Sequence, residues 1–208
     1  MLSGHEKGSQ KLIDVCEWCK DRNIPWLTVY AFSTENWNRS AEEVNGLFQI
    51  MHKFFSRELD NCIRNGLRIK VVGDRGRLRP DVLALIADAE SATSGCTGIT
   101  VNIALSYGGR DELLRAVRRC AADVRDGSLP PEAIDEAVFS RYLDTSGCPD
   151  MDLVIRTGGD HRLSNFFPWQ TTYAELYFTD TLWPDFSAEE LDSVLENYRS
   201  KVKINKGK

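Results

Sequence analysis

A chain of 208 residues with 42% hydrophobic content carries enough apolar material for one ample core, and its length favours a single domain over residues 1–208. Its 26 lysines and arginines are outnumbered by 31 acidic residues, and the formal net charge of −5 argues against a nucleic-acid binder. Any phosphate-binding positive charge must therefore be local. No run of about 18 apolar residues and no basic-then-apolar leader is visible, so membrane contact is expected to be peripheral and the location cytoplasmic.

Apolar positions Leu12, Cys16 and Cys19 recur at helical spacing over residues 5–23, and Asn23, Ile24 and Pro25 close that helix. Residues 27–32 read as a strand. Residues 41–64 form a long helix whose broad face, Val44, Leu47, Phe48, Met51, Phe54, Phe55, Leu59 and Cys62, is more apolar than a surface helix needs. A strand at 67–72 precedes a helix at 80–94 with proline in its first turn. A strand at 99–105 leads to a helix at 111–124, with Leu114, Val117 and Cys120 expected inward, and a further helix is expected at 131–143. Strands at 153–155 and 175–178 and a helix at 188–198 complete the order. Six cysteines, Cys16, Cys19, Cys62, Cys96, Cys120 and Cys148, lack the second close pair that a zinc site needs and read as reduced, mostly buried thiols.

Strands alternating with helices imply an α/β fold, a central, mostly parallel sheet flanked by helices, with ligands beyond the carboxyl ends of the strands. Each of four strand ends is followed by arginine: Arg39, the pair Arg75 and Arg77, Arg110, and the pair Arg156 and Arg162. One such loop means little, since Ser33, Asp74 and Asp111 could be plain helix caps. Four on one rim favour a crevice for a polyanion.

The densest of these stretches lies between Asp152 and Asp180. Arg156 and Arg162 can grip phosphate oxygens through bidentate, charge-assisted hydrogen bonds. Gly158 and Gly159 allow positive φ and could aim N–H groups at an oxyanion, and Ser164 adds a hydroxyl donor. The competing reading is a glycine turn whose arginines pair with surface carboxylates.

The segments Ala31-Phe-Ser-Thr-Glu-Asn-Trp-Asn-Arg39, Gly73-Asp74, Asn102-Ile-Ala-Leu-Ser-Tyr-Gly-Gly-Arg110, Ile155-Arg-Thr-Gly-Gly-Asp-His-Arg-Leu-Ser-Asn165 and Tyr173-Ala-Glu-Leu-Tyr-Phe178 resemble the cis-prenyltransferases, the undecaprenyl diphosphate synthase family. The resemblance runs from His5 to about Phe186. It implies condensation of isopentenyl diphosphate with an allylic diphosphate, assisted by Mg²⁺, to give a cis-polyprenyl diphosphate. Arg156, Arg162 and Ser164, with Asp160 beside them, would hold the diphosphate of isopentenyl diphosphate. His161 and Glu175 would contribute to the metal site, although imidazole is an uncommon ligand for Mg²⁺. Asn36, Ser33 and His5 match polar residues near the departing diphosphate and the C2 proton. Trp37, Arg39 and Glu43 match a loop that closes over the substrates and excludes water. Bland readings stand beside these: His5 a solvent-facing first-turn residue, Trp37 a core anchor, Glu175 a rim carboxylate paired with an arginine. The 41–64 helix would wall a tunnel for the growing chain, its Phe48, Met51, Phe54 and Phe55 lining or filling it.

Two departures from the family pattern accompany the match. The family opens with Asp-Gly-Asn-Gly-Arg-Trp on a strand ahead of the region of His5, and the expectation is that such an upstream segment exists and bears the metal-binding aspartate. The lysine-rich stretch 201–208 stands where an arginine-containing tail is usual and reads as a solvated tail. A homodimer is expected from the resemblance. Two other readings accompany the main one: a non-catalytic subunit that partners an active synthase, and a short-chain or irregularly coupling synthase, to which Phe166-Phe167-Pro168 points.

Overall fold

The computed structural model describes the backbone of residues 2–206 and the side chains of residues 7–201. Helix α1 (Leu2–Asp21) buries Ile13, Cys16 and Cys19 and ends where Asn23 takes a left-handed φ of 55°. The Ile24 N–H then closes onto the Cys19 carbonyl. Strand β1 (Trp26–Ser33) and helix α2 (Ala41–Arg64) follow, the helix capped by Ser40, whose side chain accepts from the Glu43 N–H. Strand β2 (Leu67–Val72), helix α3 (Pro80–Ala92), strand β3 (Ile99–Tyr107) and helix α4 (Gly109–Arg125) continue the predicted alternation. After the short helix α5 (Glu136–Ser140) come strands β4 (Leu153–Arg156) and β5 (Glu175–Phe178) and the last helix, α6 (Ala188–Lys206).

All strand pairs among the described residues are parallel, as the alternation requires, but they form two ladders, β1-β3-β2 and β4-β5. Strand β3 is central to the first and is buried at every residue but Thr100. Its nearly continuous apolar run is what a strand covered on both faces should show. The core gathers Phe48, Phe55 and Cys62 of α2, Val82 and Ile86 of α3, and Leu191 and Leu195 of α6 around Val101, Ile103 and Leu105. Arg22 grips Asp192 through two bonds of 2.6 Å, fastening α1 to α6. All six cysteines are free and four are buried; burial pushes the Cys19 and Cys62 thiols up to about 11.

Three expectations need correction. On α4 the inward face is Glu112, Ala116 and Cys120, while Leu114 and Val117 are 56% and 51% exposed. A fully buried carboxylate sets the rotation of the helix: Glu112 accepts from Tyr107 Oη at 2.6 Å, from the Asp144 N–H at 2.8 Å and from Gln170 Nε2. A buried charge tolerated only when so satisfied outranks two leucine-sized side chains in fixing a face. Burial still pushes the Glu112 carboxyl above its usual range, against the opposing pull of the Tyr107 and Gln170 bonds.

Residues 131–143 do not form one helix. Pro131–Ala133 make a single 3-10 turn, and a new helix begins only after Asp135, whose side chain accepts from the Val138 N–H at 2.7 Å. The N-cap restarts the chain where apolar spacing alone suggested continuity. At the other end, α6 runs on to Lys206, well past the predicted boundary at residue 198.

Candidate active site

Loops at the carboxyl ends of the strands meet through specific bonds. Gly73, with φ of 132°, lets the chain leaving β2 pass β3 so closely that a Cβ there would lie 2.0 Å from the Leu105 carbonyl oxygen. The Asp74 N–H then donates to the Ser106 carbonyl. From the β1 end, a 3-10 turn, Thr34–Asn38, sends the Trp37 Nε1 to Ser106 Oγ at 2.9 Å. Asn165, in the loop after β4, bonds to Glu35 and to the Arg110 and Gly109 amides.

In that loop Arg156, Asp160, Arg162 and Ser164 converge. Asp160 Oδ2 accepts from Arg156 Nη2 at 2.6 Å and from Arg162 Nη2 at 2.8 Å. Ser164 Oγ accepts from Arg156 Nη1 at 2.8 Å and from Arg162 Nε at 3.2 Å, and Arg156 also donates to the Arg162 carbonyl. Two cations thus share one carboxylate, leaving local positive charge in a chain whose net charge is negative. Arg156 is fixed, with its side chain 24% exposed, and Arg162 is open at 67%. One held and one accessible guanidinium, with a hydroxyl between them, is an arrangement able to take an oxyanion from solvent.

Other predicted positions are placed as follows. The Ser33 N–H donates to Asn36 Oδ1 at 2.8 Å, so the Asn36 amide closes its own turn. Trp37 is half-buried, its ring 5.0 Å from Phe32 and 5.6 Å from Phe48. Arg39 is exposed and makes no ion pair among the described residues, and Glu43 lies exposed in the first turn of α2. Phe48 and Phe55 are buried in the core, while Met51 and Phe54 are partly buried against it. His161 is exposed and stacks on Phe178, ring centres 5.1 Å apart. Glu175 Oε2 accepts from Lys201 Nζ at 2.8 Å. The side chain of His5 lies outside the described residues.

Two sequence expectations for this rim are overturned. The Gly158 and Gly159 N–H groups bond to the Thr181 and Thr179 carbonyls, so they close the turn against the chain leaving β5 instead of facing an anion. Arg75 donates to Glu90 and to the Val71 carbonyl, and Arg77 pairs with Asp74, so the β2 loop spends its arginines locally. The rim positive charge therefore comes from Arg39, Arg110, Arg156 and Arg162. Sequence reasoning missed Glu35 and Asn165 as links between loops, although both stand inside the quoted motifs. It also missed Tyr107, fully buried and stacked on Phe167 at 3.9 Å.

The arginine-serine cradle stands at the carboxyl ends of parallel strands, where ligands of open α/β sheets bind. The family model described as "Putative undecaprenyl diphosphate synthase" matches residues 1–205. An isoprenyl transferase of Rhizobium meliloti (strain 1021) is 46% identical over 195 residues, covering 94% of this chain and 79% of that protein. The ditrans,polycis-undecaprenyl-diphosphate synthase ((2E,6E)-farnesyl-diphosphate specific) of Escherichia coli (strain K12) is 39% identical over 198 residues, 95% of this chain and 78% of that one. Among solved structures, lavandulyl diphosphate synthase from Lavandula x intermedia, in complex with dimethylallyl diphosphate, superimposes with a TM-score of 0.91 at 35% identity, covering 95% of this chain and 86% of the other. The chain belongs to the undecaprenyl diphosphate synthase family of cis-prenyltransferases, and it is a prenyl-transferring enzyme. No described helix is long and apolar enough to cross a membrane.

Proposed function

We propose that the enzyme condenses isopentenyl diphosphate with an allylic diphosphate and forms a new cis double bond. The observation that carries this reading is the convergence of Arg156, Arg162 and Ser164 on Asp160 at the end of β4. Arg162 takes the incoming diphosphate from solvent, and Arg156 holds it in register with Ser164. The β1 loop, bearing Ser33, Asn36, Trp37 and Arg39 with Glu43 behind it, covers the allylic side, where shielding the developing cation from water favours transfer over hydrolysis. The names of the curated relatives support this substrate class.

Magnesium is part of the proposal, with Glu175 and His161 as protein ligands. Among the described residues no group of three histidine, cysteine or acidic side chains converges, so they form no closed cage for a metal. Mg²⁺ is commonly held by one or two protein ligands with substrate phosphates completing its shell. His161 stacks on Phe178 at the carboxyl end of β5, whereas Glu175 lies at its amino end, opposite Leu153 and bonded to Lys201, so the two do not converge within one chain. Bound beside the diphosphate, Mg²⁺ would supply charge neutralisation to the departing group. The active form is proposed to be a cytoplasmic homodimer, with peripheral membrane contact for release of long products.

The test is incubation of the purified protein with isopentenyl diphosphate, Mg²⁺ and dimethylallyl, geranyl or farnesyl diphosphate in turn, with product masses read after phosphatase treatment. A polyprenol series is expected, and excess EDTA is expected to abolish it. Absence of product with every primer, or full turnover in EDTA, would refute the substrate or the metal assignment respectively. A second reading, a short-chain or irregularly coupling synthase, draws support from the likeness to lavandulyl diphosphate synthase and from the Phe166-Phe167-Pro168 run that follows Ser164 and Asn165 in the sequence. The same masses decide it: a single product from one condensation of dimethylallyl diphosphate, branched by NMR, would establish the irregular coupling.

A further inference from the structure

The loop after β4 holds residues in a conformation that side chains rarely adopt. Ser164, Asn165 and Phe167 have φ of 50°, 66° and 41°. Non-glycine residues in this region cost about 1–3 kcal/mol each and persist only where their surroundings over-determine them. Here the surroundings are Asn165's own bonds. Its Oδ1 accepts from the Arg110 N–H at 2.8 Å, its carbonyl accepts from the Gly109 N–H at 2.8 Å, and its Nδ2 donates to Glu35 Oε1 at 2.9 Å. The fit leaves no spare room: a Cβ on Gly108 would lie 2.3 Å from Thr34 Oγ1 and 2.9 Å from Asn165 Nδ2.

Asn165 therefore has one neighbour in the anion cradle, Ser164, and one hydrogen-bond partner in the β1 loop, Glu35. We propose that Asn165 is a positioning residue that sets Ser164 between Arg156 and Arg162 and, through Glu35, ties the β1 loop to the diphosphate cradle. The proposal rests on the substrate reading given above and deepens it. The Glu35 end is charge-assisted and exposed. Burial pushes the Glu35 carboxyl up, but hydrogen bonds led by that of Asn165 outweigh it and hold the group below its usual range. The link is thus in place at neutral pH and is lost as pH falls through that lowered value.

The polarity of the Glu35 bond allows a test by reversal. Asn165→Asp keeps the acceptor for the Arg110 N–H but replaces the Nδ2 donor with an oxygen facing Glu35. It is expected to raise the KM for isopentenyl diphosphate about 10- to 100-fold, the effect of losing a charged hydrogen bond and gaining a repulsion. Adding Glu35→Gln to Asn165→Asp restores a donor and acceptor in opposite order, and most of the lost KM is expected to return. A merely structural role would lower the melting temperature and the active fraction, leaving KM unchanged. The proposal is overturned by an unchanged KM in Asn165→Asp, or by a double variant no better than the single one. Binding of inorganic pyrophosphate, followed by calorimetry on the same three proteins, gives a readout independent of turnover. If the unsubstituted enzyme made no prenyl product, the substrate reading would fail. The order of pyrophosphate affinities would still uphold the clamp, or overturn it if all three proteins bound alike.

Discussion

Arg156→Ala is expected to lower kcat/KM for isopentenyl diphosphate by about 30- to 1,000-fold, with most of the loss in KM. The magnitude follows from what the guanidinium holds. Arg156 donates to Asp160, to Ser164 and to the Arg162 carbonyl, so its removal takes away one phosphate donor and loosens the remaining two groups. Charged hydrogen bonds contribute about 1.5–3 kcal/mol each, and Asp160 would be left with Arg162 as its one guanidinium partner. Arg162→Ala should cost less, about tenfold, because that side chain is two-thirds exposed and organises fewer neighbours. Arg156→Lys should fall between them, since an ammonium keeps the charge but cannot reach Asp160 and Ser164 in the same fork. Steady-state kinetics with isopentenyl diphosphate varied at saturating allylic primer measure all three. Equal KM values for Arg156→Ala and the parent enzyme would place the diphosphate elsewhere.

The parts of this molecule legible in its sequence are those governed by local periodicity. The α2 boundaries, Ala41 and Arg64, and those of β2, Leu67 and Val72, follow from an apolar face and a cap that lie within the segment itself. That Arg156, Arg162 and Ser164 lie together was legible for a similar reason, because they fall within nine residues and the turn that gathers them is local; their pairing with Asp160 is also what the competing reading of a carboxylate-paired turn expects. What was not legible depended on partners far along the chain. Leu114 and Val117 face outward because Glu112 meets Tyr107, Asp144 and Gln170, and no helical periodicity encodes those bonds. The arginines of the β2 loop looked equivalent to the others until Glu90 of α3 claimed one of them. The Glu35–Asn165 bond joins residues 130 positions apart. Both were quoted inside motifs, yet their tie exists only because the parallel strands bring their carboxyl ends to one rim.

Phe167→Ala is expected to lower the unfolding free energy by about 3–5 kcal/mol, the usual cost of truncating a buried aromatic ring. For a chain of this size that corresponds to a fall of about 6–20 °C in melting temperature. The ring is fully buried, stacked on Tyr107 with planes 14° apart, and it meets Phe166 edge-on at 4.8 Å. Tyr107 in turn donates to Glu112, so a cavity here would sit beside a buried carboxylate that has no alternative solvent. The backbone adds a second term. Alanine would inherit the φ of 41° and its strain while losing the packing that offsets it, whereas glycine adopts that angle freely. Phe167→Gly is therefore expected to be at least as stable as Phe167→Ala, reversing the order in which glycine is ordinarily worse by about 0.5–1 kcal/mol. Urea unfolding of the two variants side by side measures the difference directly. If Phe167→Gly unfolded at lower urea than Phe167→Ala by the ordinary margin, the strain would not reside at Phe167, and the over-determination of the β4 loop would rest on Ser164 and Asn165 alone.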